Sequence, residues 1–121
     1  MPVQIVKLLD AVTIKGEKGD TGGIQPSGYG SATIDFGTTL TDEASVIITG
    51  LTDMLTTSHV VVFIEGDDTT ADNNADAHKN LAAFSTCYVT ARTAGVGFTA
   101  NVVLTEGFAS KTFKIHYIFV K

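Results

Sequence analysis

The chain has no tryptophan, one cysteine, two prolines and one arginine in 121 residues. With Cys87 alone, an internal disulfide and a thiolate metal cluster are both excluded. A single thiol in a chain this apolar is expected in the core, and synthesis in a reducing cytosol is expected with it. Arg92 has no second arginine to work with, so a multi-arginine clamp for anions cannot be built. Long hydrophobic runs are missing too. The longest, Val60 to Ile64, has five residues, far short of a membrane-spanning helix. Lys7 interrupts the apolar N-terminal stretch and no small-residue cleavage pattern follows, so a signal peptide is not expected.

Positive charge is absent from a whole half of the chain. Residues 19–78 hold no lysine or arginine but ten Asp and Glu, while Lys79, Arg92, Lys111, Lys114 and Lys121 follow with Glu106 as the only acid. The net charge of −5, without interleaved basic and aromatic residues, argues against binding nucleic acid. What the chain does have is threonine, 18 in all and many beside valine or isoleucine, which favours strands. A length of 121 residues is that of one domain, able to bury roughly two-thirds of its unfolded surface.

Period-two alternation marks six strands: Ala32–Phe36, Ala44–Thr49, Ser58–Glu65, Phe84–Arg92, Val96–Leu104 and Thr112–Val120. The third is apolar on both faces, as an inner strand would be. In the fourth, Cys87, Val89 and Ala91 share a face. In the last, Phe113, Ile115, Tyr117 and Phe119 share one face and Lys114 and His116 the other. Ile118 and Val120 make the end of that strand apolar on its second face as well, which calls for a partner surface. Gly95-Val-Gly97-Phe98 reads as a hairpin turn, lacking the spacing of a phosphate loop. Between residues 71 and 84 only a loop entering a short helical turn is expected. The fold class is therefore all-β, an antiparallel β-sandwich, jelly-roll-like or related, with an N-terminal arm.

Three segments follow: an arm or strand at residues 1–15, a glycine-rich neck at 16–30, and the β domain at 31–121. The arm carries Val3, Ile5, Val6, Leu8, Leu9, Val12 and Ile14, too apolar for a free tail. Gly16, Gly19 and Gly22 keep collagen spacing, but Gln25 breaks it. Three beats cannot hold a triple helix, so the run reads as a neck whose small residues let chains approach.

Catalytic chemistry finds little footing. His59, His78 and His116 have no histidine partner at i+2 or i+4, so a zinc site needs ligands from distant segments. An acidic neighbour could orient His78, but Ser85 and the threonines sit in no nucleophile-elbow motif. Asp72, Asn74 and Asp76 alternate like calcium ligands, yet the positions reserved for glycine and glutamate hold Ala77 and Ala83. A polar loop with Asx turns is expected there, with calcium the competing reading. No catalytic, cofactor-binding or metal residue is assigned, no cofactor is called for, and an enzyme is not expected.

Ala32-Thr-Ile-Asp-Phe-Gly37, Val46-Ile-Ile-Thr-Gly50, Ser58-His-Val60, Ala75-Asp-Ala-His78 and Gly95-Val-Gly-Phe-Thr99 together resemble a small β-rich module of tailed-bacteriophage virion structural proteins. The resemblance spans about residues 31–120. The module's last strand is associated with a tryptophan, for which Tyr117 or Phe119 stands here. Collagen-like stretches accompany such fibres, matching Gly16 to Gly22. The resemblance implies a non-enzymatic virion protein, made in the host cytoplasm, of tail-fibre or appendage type. Capsid decoration, a head fibre, or a receptor- or carbohydrate-binding sandwich are the alternatives. Its implied partners are copies of itself, a trimer first, other virion proteins, and a host-surface receptor at a fibre tip; no membrane insertion is implied.

Overall fold

The computed structural model describes residues 27–121. The arm at residues 1–15 and the collagen-like run through Gly22 lie outside the described residues. The elements are β1 (Gly28–Asp35), β2 (Glu43–Ile48), β3 (His59–Phe63), α1 (Ala75–Ala83), β4 (Ser85–Thr93), β5 (Gly97–Leu104) and β6 (Thr112–Val120). They form two antiparallel three-stranded sheets, ordered β1-β6-β3 and β2-β5-β4, so the fold is all-β as expected.

Alternation decides which face is buried. Phe113, Ile115, Tyr117 and Phe119 of β6 point into the same core as Phe98, Ala100 and Val102 of β5. The central strands of the two sheets thus meet, with Phe98 and Tyr117 edge to face at 5.4 Å. Edge strands lie against each other as well, β1 against β2 and β3 against β4. At one end Phe36 closes on Phe113, ring centroids 5.6 Å apart.

β1 begins at Gly28, four residues before the expected Ala32, and so crosses the boundary drawn at residue 30. Gly28 and Gly30 pair with Phe119 and Tyr117. A Cβ at these positions would fall 2.4 Å and 2.6 Å from the two side chains. The glycines are the gaps over which the large rings lie, not linker.

Three further expectations change. β3 is an edge strand, not an inner one. Its apolar outer residue Val61 stands beside Ile118, which Tyr29 flanks on the other side. Ile118 is consequently only 8% exposed, so the second face of β6 is partly covered by its own chain. Ala91 leaves the inner face because the register shifts between Thr90 and Thr93. There it takes a left-handed φ of 54° and lies exposed. Finally, a nine-residue helix, α1, stands where one short turn was expected. Its start is read from the Asp/Asn-rich run: Asn74 Oδ1 accepts from the Ala77 amide at 2.9 Å, an N-cap.

The loop before α1 does the work of a missing strand. β3 ends at Phe63, opposite His116, and leaves the rest of that edge of β6 unpaired. Side chains take over. The carbonyl of Thr112 accepts from Thr70 Oγ1 at 2.8 Å and from Asn73 Nδ2 at 2.7 Å. The Lys114 amide donates to His78 Nε2 at 2.9 Å. Main-chain groups that would otherwise template another strand are thereby satisfied.

Candidate functional site

The turn that ends β3 gathers the densest set of ionisable groups among the described residues. Glu65-Gly66-Asp67-Asp68 is closed by the Asp68 amide donating to the Glu65 carbonyl at 3.2 Å. Both flanking carboxylates reach His116 on β6. Its Nε2 lies 2.6 Å from Asp68 Oδ2 and 3.1 Å from Glu65 Oε1. Strand register makes the meeting possible: Phe63 is the cross-strand partner of His116, and their rings stack at 5.5 Å and 21°. The turn then swings its carboxylates over the imidazole edge. His116 and Asp68 are largely sheltered, with side chains 19% and 17% exposed, while Glu65 at 50% faces solvent. Beside them opens a cavity of about 330 Å³, lined by Tyr29, Gly30, Phe63, Tyr117 and Ile118.

A second surface feature runs along α1. Leu40, Leu81, Phe84, Leu104 and Phe108 line a groove of about 330 Å³, with Asn73 and Asn80 at its polar margin. Leu40 and Phe108 are 65% and 67% exposed. Large side chains left open in one groove are the kind of surface that a partner covers.

The residues singled out in the sequence are mostly accounted for by structural roles. Asp72 Oδ2 accepts from Thr112 Oγ1 at 2.6 Å, Asn74 caps α1, and Asp76 lies in the first helical turn. The alternating trio is not gathered into a ligand cluster. His78 is not oriented by a carboxylate. It is wholly buried, with Nδ1 3.0 Å from the Asn74 carbonyl and Nε2 accepting from Lys114. An imidazole that accepts at Nε2 carries its proton on Nδ1, so the two contacts define one neutral tautomer. His59 is exposed, and Ser85 is buried. Arg92 Nε donates to the Ser58 carbonyl at 2.9 Å, linking β4 to the start of β3.

Cys87 packs against the core, and burial pushes its thiol up from 9.0 to about 11. Gly95 and Gly97 form the β4–β5 hairpin as expected, with the Val96 amide donating to Thr93 at 3.0 Å. The meeting of His116 with Glu65 and Asp68 was not foreseen. His116 is 48 residues from Asp68, and only the register of β3 on β6 joins them. Comparison with protein-family models, with curated proteins and with solved structures finds no match to this chain. Among the described residues no helix is long and apolar enough to cross a membrane.

Proposed function

We propose that this chain is a non-enzymatic structural protein of a bacteriophage virion, a tail-fibre or appendage component that acts as a homo-oligomer, with a trimer favoured. The observation that carries the assembly reading is the Leu40–Phe84–Phe108 groove, where three large apolar residues face solvent together. Phe36, Phe98, Phe113, Tyr117 and Phe119 are buried in the core, so the open rings are left over from folding and free for contacts with another copy. The Gly16, Gly19 and Gly22 spacing selects three chains over two. The virion assignment rests on the resemblance of the strand and loop motifs. Capsid decoration or a head fibre would use the same surface.

A receptor- or carbohydrate-binding module is the second reading. It is favoured by exposed Tyr29 beside Phe63 and the Glu65–His116 pair, an aromatic platform next to polar groups.

Light scattering of the full chain at micromolar concentration tests the assembly. A mass near three times 12.7 kDa is expected. Leu40→Ser with Phe108→Ser lowers it to one chain while far-ultraviolet dichroism stays unchanged. A monodisperse single-chain mass for the unsubstituted protein overturns the oligomer, and a two-chain mass removes the trimer.

A further inference from the structure

We propose that Glu65, Asp68 and His116 bind a divalent first-row metal ion of the zinc class. The ligand atoms are His116 Nε2 and one oxygen of each carboxylate, all within 4.8 Å of one another. A tetrahedral zinc with bonds of about 2.0–2.1 Å holds its ligand atoms roughly 3.3 Å apart. The separations from Nε2, 2.6 Å to Asp68 and 3.1 Å to Glu65, fall short of that edge by about 0.7 Å and 0.2 Å. Seating an ion therefore asks the Asp68 carboxylate to move outward from Nε2, while Glu65 stands close to its place.

Charge and rigidity point the same way. Two carboxylates converge on one imidazole, and among the described residues no lysine or arginine forms an ion pair with either. The Phe63 ring stacks on His116 and fixes the plane from which Nε2 projects. Both carboxylates come from one hydrogen-bonded turn, which carries them to the same side of the imidazole. Shelter of His116 and Asp68 weakens solvent screening of the pair.

The donor set selects the metal. One imidazole with two carboxylates suits zinc and its first-row neighbours, whereas calcium takes six to eight oxygens. A fourth position is left to water, with room in the cavity beside Tyr29 and Ile118. None of the three ligands lines the Leu40–Phe108 groove.

The test is calorimetric titration of the full chain, first stripped with chelator, using zinc chloride alone, with a parallel melting curve. One ion per chain is expected, with a melting temperature raised by several degrees. Glu65→Gln and Asp68→Asn should each weaken binding about tenfold or more, since even groups behind a metal's ligands are worth that much. Absence of heat together with unchanged melting in millimolar zinc overturns the proposal. So does a folded double variant, Glu65→Gln with Asp68→Asn, that binds as tightly as the parent, because the ion would then sit elsewhere.

Discussion

Replacing His78 separates what its ring contributes by packing from what it contributes by hydrogen bonding. The imidazole is fully buried, 5.0 Å from the Phe113 ring, and it accepts from the Lys114 amide where β3 no longer reaches. His78→Phe keeps an aromatic ring, somewhat larger than imidazole, and removes the acceptor. The Lys114 amide is then left without a partner inside the fold, which costs about 1–3 kcal/mol. His78→Ala also empties the space beside Phe113. Truncating large buried rings costs about 3–5 kcal/mol in all. The Asn74 carbonyl is spared in both variants, because the His78 main-chain amide already donates to it at 3.1 Å. For a domain whose total stability is about 5–15 kcal/mol, the alanine variant should be visibly weakened and the phenylalanine variant intermediate. Urea unfolding followed by far-ultraviolet dichroism measures both, with an unchanged slope as the check that the unfolded state is comparable. A phenylalanine variant within about 0.5 kcal/mol of the parent, inside the usual scatter of neutral substitutions, would refute the acceptor role of Nε2.

Gly97→Ala should be among the most damaging single changes, because its Cβ would fall 1.8 Å from the Ile48 carbonyl oxygen at a φ of 158°. A loss of at least about 3 kcal/mol by urea unfolding is expected, since backbone would have to move. Ala91→Gly should stabilise by about 0.5–1 kcal/mol, as it relieves a left-handed φ of 54° at an exposed bulge; a loss of stability would count against that strain. Cys87 should react with iodoacetamide at pH 8 far more slowly than free cysteine, since a thiol raised from 9.0 to about 11 holds about a hundredfold less thiolate. The same shift makes stability fall as pH rises from 9 toward 11, because the unfolded chain loses the thiol proton first; Cys87→Ala should flatten that part of the pH profile.

Alternation along the chain carried most of the fold. β6 runs over Thr112–Val120, the span that its period-two pattern marks, and its four inward residues form the centre of the core. Register is where local pattern stops informing. Gly28 and Gly30 look like linker until Phe119 and Tyr117 are placed across from them. β3 reads as an inner strand because Val60 to Ile64 is apolar on both faces. Yet the outer face of an edge strand can be apolar when its neighbour presents Ile118 and its own Phe63 stacks on a histidine. α1 was obscured by a different conflict. Asp and Asn favour turns, but the residue that begins a helix is drawn from the same set, and Asn74 is that residue here.

The short length of β3 connects these departures. Had the strand continued past Phe63, it would have paired with β6 as far as Thr112, and the segment after it would have been an ordinary hairpin. Because it stops opposite His116, two substitutes occupy the vacated edge. Thr70, Asn73 and His78 supply the hydrogen bonds of the absent strand, which draws α1 against β6. The turn itself, freed from pairing, folds its two carboxylates onto His116. Edge protection needs neutral donors and acceptors, and the metal-ligand geometry needs charge, so the two tasks fall to separate residues of one loop. That division explains why the nine acidic groups among the described residues 27–78 do not form a single ion-binding loop. Asp72 and Asn74, which look most like calcium ligands, lie on the stretch that covers the edge, whereas Glu65 and Asp68 lie where the strand lets go.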